Sequence, residues 1–309
     1  MIKVACIQIA PVFLDAERTW NKLSRYITEA ALNNAELITW GETLIPGYPI
    51  WVSYSNGARF NDQLQKKVYA KYWKEAIHLS QSKIINEMKT QVKQNNIMLI
   101  GGISEKESGS IYCTLITIGQ SGELLGRHRK IKPTYEERLV WADGDHHGLR
   151  TYELKGVHVG GLNCWENWLP LARAALHLQE EIIHVAVWPG SYRTTRDISR
   201  FIALEGRSWV LSTSGLIRSR DFQHLSVREF PVKQQVSSVD DNLQDGGSMI
   251  VNPKGEIVAG PLINEEGILY YDIDPRLAIE ERQNLDISGH YSRFDIFNKP
   301  LKQEPRQIN

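Results

Sequence analysis

The strongest constraint on the fold is an alternation that runs the length of the chain. Short, β-rich apolar runs are separated by stretches whose apolar residues recur every three or four positions. Ile2 to Ile9 reads as a strand, and Asp15 then stands where it can cap a helix carrying Ala16, Trp20, Leu23, Ile27 and Ala30 on one stripe. Glu36 to Trp40 is expected to be the next strand and to end at Gly41-Glu42, because Pro46-Gly47-Tyr48-Pro49 imposes an irregular loop. Leu64, Val68, Tyr72 and Ala76 form a second helical stripe and Ile85, Met88 and Val92 a third. Ile97 to Ile103 then returns as a strand, and Ile111 to Ile118 and Glu123 to Ile131 make a hairpin across a glycine-containing turn.

Thr151 to Leu154 pairs with Val157 to Leu162, and Asn163-Cys164 links that strand to a helix with Pro170 in its first turn. Leu171, Ala174, Ala175 and Leu178 are expected to face inward from this helix. Five later strands, beginning with Ile182 to Trp188 and ending with Ile268 to Ile273, alternate with a helix marked by Ile198, Phe201 and Ile202, and a last helix falls within Pro275 to Gln283. The fold class is therefore α/β, and the strand count, high for one open sheet, implies two stacked sheets with helices outside them. A single domain over residues 1–309 is expected, with 289–309 as a C-terminal extension too polar and proline-broken to build its own core.

Charge and cysteine content narrow the function classes. Thirty-six basic residues balance 36 acidic ones, so no global field draws a polyanion or an anionic membrane. No run approaches the ~18 apolar residues of a membrane span. Arg127 to Lys132 holds five basic residues, but strand alternation divides them between two faces and delivers one lysine inward. Neither nucleic acid nor membrane is an expected partner; a small molecule or a second copy of the chain is. The N-terminal apolar stretch is broken by Gln8 and Pro11 and reads as a strand of the folded protein. Three cysteines are too few for a disulfide framework, so a cytoplasmic, reducing location is expected. No glycine-rich phosphate loop and no clustered metal ligands occur, so neither cofactor nor metal is expected.

Cys164 is the best nucleophile, because free N–H groups and the helix dipole at a strand-to-helix turn favour a thiolate. Cys6 and Cys113 lie inside expected strands and read as core. Glu42, at the end of an apolar strand, is a carboxylate whose pKa should rise toward that of a working base. Glu136-Glu137-Arg138 follows the basic strand and could hold its inward lysine.

Three segments, Trp40 to Pro49, His128 to Arg138 and Leu162 to Asn167, resemble in sequence and in order the signature segments of the nitrilase branch of the carbon-nitrogen hydrolase superfamily. Further likeness runs through His184 to Gly190 and Gly289-His290-Tyr291. The resemblance implies a four-layer αββα sandwich and a Glu-Lys-Cys set on Glu42, Lys130 and Cys164, with Glu137 as a fourth polar residue orienting Lys130 or the substrate. It also implies hydrolysis of a nitrile by water to the acid and ammonia through a thioimidate and a thioester, and a homodimer or larger, possibly spiral, homo-oligomer. It places the family lysine on Lys130 and not on Lys132. Where the family usually has proline before the glutamate this chain has Gly41, which implies a looser backbone there. Tyr54, Trp141, Trp165, Trp168 and Trp188 lie near these motifs and are candidates for an aromatic substrate pocket. Three other readings stay open: an amidase of the same superfamily, a papain-like pairing of Cys164 with His158 or His184, and a non-catalytic assembly scaffold.

Overall fold

A computed structural model describes residues 1–55, 57–226, 230, 242–293 and 295–297. Its strands are β1 (Ile2–Gln8), β2 (Leu37–Ile45), β3 (Met98–Glu107), β4 (Ser110–Ile118), β5 (Leu124–Arg129), β6 (Tyr152–Leu154), β7 (Val157–Asn163), β8 (Glu181–Trp188), β9 (Trp209–Ser214), β10 (Ile217–Arg218), β11 (Asn242–Gln244), β12 (Gly246–Val251), β13 (Ile257–Ile263) and β14 (Gly267–Ile273). They form two six-stranded sheets, ordered β14-β1-β2-β3-β4-β5 and β13-β12-β9-β8-β7-β6, with β10 and β11 as a separate ribbon. Each sheet has three parallel strands at its centre, β1-β2-β3 and β7-β8-β9, and antiparallel strands on both flanks.

The expected two stacked sheets and four layers are present. Ile2, Val4, Leu37, Ile100 and Leu115 of the first sheet pack on Val159, Ile183, Val185, Leu211 and Ile250 of the second. The outer face of the first sheet is covered by α1 (Ala16–Leu32) and α4 (Lys83–Asn95) through Trp20, Leu23, Ile27, Ile85, Met88 and Val92. The outer face of the second is covered by α5 (Pro170–His177) and α6 (Tyr192–Gly206) through Leu176, Ile198 and Ile202. Asp15 caps α1, accepting from Arg18 N at 2.9 Å, as the sequence implies. A further cluster, built on Phe13, Trp51, Tyr72, Trp141 and Phe222, brings α3 (Gln63–Glu75) together with the segments around Trp51, Trp141 and Phe222.

Several expectations are corrected. β2 does not stop at Gly41-Glu42 but continues, wholly buried, to Ile45. Leu64 is exposed, so the inward stripe of α3 begins at Val68; Phe201 on α6 is exposed as well. α5 is rotated from the expected register: Ala172, Arg173, Leu176 and His177 face inward, while Leu171 is 63% exposed. The cause is polar, since Arg173 pairs with Glu205 of α6 and His177 with Glu181 of β8, and these ion pairs hold the inner face of the helix. Strand alternation likewise fails at Arg129, which is drawn in by Glu105 and by the Tyr112 ring 3.6 Å from its guanidinium carbon. Tyr291, Ile296 and Phe297 of the C-terminal extension are exposed, while Phe294 and Leu301 lie outside the described residues. Among the described residues no helix is long and apolar enough to cross a membrane.

The register of α1 gives a direct check. Leu23→Ala, beneath the helix, should lower stability by ~2–5 kcal/mol. Leu32→Ala, on the solvent side of the same helix, should stay within ~0.5 kcal/mol. Denaturant unfolding of the two variants measures the difference.

Candidate active site

Glu42, Lys130 and Cys164 all leave the C-terminal parts of strands: Glu42 within β2, Lys130 directly after β5 and Cys164 directly after β7. At Glu42 the ladder to β3 is interrupted, for Trp40 pairs with Gly101 but Ile45 with Ile103. The extra residues of β2 bulge, with Thr43 at φ +43°. The bulge needs room. A Cβ on Gly102 would lie 2.4 Å from Thr43 N, and one on Gly41 would lie 2.5 Å from Gly215 N and 2.9 Å from Trp188 O. Gly41 therefore does not loosen the backbone beside Glu42; it lets β2 press against the neighbouring chain.

Lys130 is fully buried. Its N–H donates to Cys113 O at 2.8 Å, and its Nζ donates to Glu42 Oε1 at 3.0 Å and Glu137 Oε2 at 2.7 Å. Trp141 presents its ring 5.7 Å from Nζ. Glu137 sits in a short 3-10 helix, Tyr135–Leu139, and also accepts from Thr134 N at 2.7 Å and Tyr48 Oη at 3.1 Å. Lys132, in contrast, is exposed and paired with Asp143.

Cys164 opens a 3-10 turn, Cys164–Trp168, with φ +44°, a left-handed conformation that a residue bearing a side chain holds only when its surroundings impose it. Glu166 supplies much of that constraint: its carboxylate accepts from Asn163 N at 3.1 Å and from Ile131 N, and bonds His128 Nε2 at 2.9 Å. It ties the cysteine turn to the lysine segment. Asn167 Nδ2 donates to Cys164 O at 2.9 Å. His158 and His184 are engaged elsewhere, His158 with Thr151 and His184 with Glu181 and Asn167.

Electrostatics corrects the expectation of a resting thiolate. Burial pushes the Cys164 thiol well above its ordinary range, and the Glu42 charge pushes it the same way, against Lys130. The turn's dipole does not offset this. Burial also raises Glu42, to about 7, with Lys130 pulling it down and Glu137 pushing it up. Burial alone would depress Lys130, but Cys164, Glu42 and Glu137 outweigh it and hold the ammonium well above its usual value. The group is a neutral thiol, a carboxylate near neutrality and a permanent cation. One ligand-type atom from each of Glu42, Glu137 and Cys164 falls within 4.8 Å of the others. Lys130 Nζ already sits on both carboxylates and supplies the positive charge such a cluster would draw from a metal.

Cys164 and Glu137 line a cleft of about 450 Å³ together with Tyr48, Trp165, Trp188, Arg193 and Gln244, among others, and Glu42 and Lys130 lie buried behind it. Two of the five expected aromatics, Trp165 and Trp188, line it. The other three do not. Tyr54 packs against the cluster that holds Trp51, Trp141 stands over Lys130, and Trp168 stacks with Trp165 at a ring-centroid distance of 6.0 Å. Glu166, Tyr48 and Cys113 were not foreseen as parts of the site. A glutamate two residues after Cys164 is visible in the sequence, but nothing local marks its partners 35 and 38 residues away.

The carbon-nitrogen hydrolase family model matches residues 3–283. The chain belongs to the carbon-nitrogen hydrolase family. An aliphatic nitrilase of Rhodococcus rhodochrous is 33% identical to it over 96% of this chain and 78% of that protein. A Saccharomyces cerevisiae member of the nitrilase superfamily shares the fold at a TM-score of 0.71 and 19% identity, covering 94% of this chain and 97% of that one. An amidase from Nesterenkonia sp. shares it at 0.65 and 16%, covering 92% and 94%. This carbon-nitrogen hydrolase thus combines the family fold with a buried Glu-Lys-Glu array beside a cysteine.

The two neighbouring lysines separate site from surface. Lys130→Ala should lower hydrolase turnover by about two orders of magnitude or more, as expected when a buried transition-state charge worth ~3 kcal/mol or more is lost. Lys132→Ala should change it by less than about threefold. Steady-state ammonia release measures both, with circular dichroism confirming the fold.

Proposed function

We propose that the protein is a nitrilase that hydrolyses an organic nitrile, with two waters, to the carboxylic acid and ammonia. The observation that carries this reading is the buried Glu42–Lys130–Glu137 array beside Cys164, in a chain similar over nearly its whole length to an aliphatic nitrilase. Glu42 is the base. It takes the Cys164 proton as Sγ adds to the nitrile carbon, and returns it to the nitrogen to give a thioimidate. Lys130 stabilises the negative charge that develops on nitrogen. Glu42 then deprotonates a water that adds to the thioimidate, ammonia leaves, and a second water cleaves the thioester. Glu137 acts on Lys130, holding its ammonium beside Glu42, and Tyr48 in turn bonds Glu137. Trp165 and Trp188 are the apolar walls against which the substrate's organic group packs.

Purified protein should release ammonia from a nitrile panel far faster than from the matching amides, and Cys164→Ala should release none. Since Glu42 must be ionised to accept the thiol proton and its pKa is raised to about 7, the rate should fall as pH drops through that value. Release from amides alone would make the protein an amidase.

The enzyme is further proposed to act as a homo-oligomer. The outer face of α5 and the C-terminal extension form one apolar surface, with Leu171, Ala174, Leu178, Tyr291 and Phe297 lining a shared hollow. A second copy of the chain is the occupant that supports itself by symmetry. A cytoplasmic location is proposed because all three cysteines are free and buried. Deleting residues 289–309 should lower the particle mass by light scattering and the specific activity together; unchanged values would remove the segment from the contact.

A further inference from the structure

Cys113 lies on β4, and its sequence context marks it only as a core residue. The structure gives it two bonds to the site. Its Sγ lies 3.2 Å from Glu42 Oε1, and its carbonyl accepts the Lys130 N–H at 2.8 Å. It is fully buried, between the Trp141–Tyr72 cluster and the base. Burial and the adjacent Glu42 charge hold its thiol well above the ordinary range, so the sulfur keeps its proton and donates.

The two oxygens of Glu42 are consequently unlike. Oε1 accepts from both Lys130 Nζ and Cys113 Sγ, whereas Oε2 is buried and has no hydrogen-bond partner among the described residues. A buried carboxylate oxygen left bare is costly in a folded protein unless a reacting group uses it. We propose that Cys113 is a positioning residue: its S–H, seated on Oε1, fixes the rotation of the Glu42 carboxylate so that Oε2 is the oxygen that takes the Cys164 proton. This rests on the nitrilase reading for the identity of the reaction, but not for the geometry. The proton passes from Cys164 Sγ to Glu42 Oε2 as the sulfur's electron pair forms the bond to carbon, and Cys113 keeps its own proton throughout.

The donor also biases the base. A hydrogen bond to the ionised carboxylate favours that form, so Cys113 acts with Lys130 to lower the Glu42 pKa, against burial and the Glu137 charge. The other titratable groups facing Glu42 are Cys164, at the end of β7, Tyr48, whose hydroxyl donates to Glu137, and Tyr72, on α3, whose hydroxyl is taken up by Ser104.

The test compares wild type with Cys113→Ala, Cys113→Val and Cys113→Ser. The pH dependence of iodoacetamide alkylation at Cys164 is read by peptide mass, and kcat and KM are measured on a nitrile. Loss of the donor in the Ala and Val variants should move the alkylation midpoint up by about half to one pH unit. It should also lower kcat by about tenfold with KM within about twofold. Cys113→Ser keeps a donor and should bring the midpoint to the wild-type value or below it. Superimposed profiles for wild type and a folded donorless variant would overturn the proposal, as would an upward shift in the Ser variant equal to that in Ala. If neither donorless variant folds, the Ser profile decides alone: a midpoint at or below wild type supports the role, and one above it overturns it. A wild-type protein that releases no ammonia from any nitrile would remove the nitrilase reading and leave the alkylation result standing for Cys113.

Discussion

The ammonium of Lys130, buried and shared between Glu42 and Glu137, is the interaction on which the site depends. An unpaired ion at this depth would cost several kcal/mol, and two carboxylates brought this close without it would repel. Three separate parts of the chain, the β2 bulge, the end of β5 and the 3-10 turn after it, are therefore committed to one another. The array carries one more negative than positive charge when both carboxylates are ionised. Burial is the main reason Glu42 rises to about 7 and Cys164 stays protonated; the Glu137 charge adds to it in both cases, against Lys130. Sulfur therefore holds its proton beside a carboxylate whose pKa lies near neutrality.

The two stacked sheets make this possible because each delivers different groups to the site from the same end. The first sheet delivers the carboxylate and the ammonium from β2 and β5, and the second delivers the sulfur from β7. Glu166 fastens the halves, since its carboxylate takes Asn163 N on one side and Ile131 N and His128 on the other.

Much of this was legible in sequence where apolar periodicity alone decides the outcome. The stripes of α1 and α4, the strands β4 and β9 and the hairpin before Lys130 follow from burial of side chains that have no alternative. Glu42, Lys130, Glu137 and Cys164 were each locatable, and the structure brings them together. The reading failed where a distant polar partner overrides the local pattern. Leu171 looked inward by spacing, yet Arg173 and His177 took the inner face because Glu205 and Glu181 wait there. Arg129 broke alternation for Glu105, and Cys113 passed as core because Glu42 is 71 residues away. The end of β2 was misplaced for a related reason: Gly41 and Gly102 signal close backbone approach only once the opposing chain is known.

The polar pairs beneath α5 also explain why the Cys164 turn can hold a left-handed residue. Asn167 bonds the carbonyls of Leu162 and Cys164 and passes through its Oδ1 to His184, which bonds Glu181; Glu181 faces His177 at 3.1 Å. Burial alone would neutralise His177, but Glu181 and Glu205 raise it to about 9, and Glu181 is itself held at about 2 by the two histidines against its burial. Charges this strongly retained inside a protein resist rearrangement, because moving one leaves another unpaired at low dielectric. The network therefore acts as a rigid floor: it fixes the Cys164 backbone from below while Glu166 fixes it from the side. The same helix turns Leu171 outward, so its inner face anchors the Cys164 turn while Leu171 and Ala174 line the hollow shared with Tyr291 and Phe297.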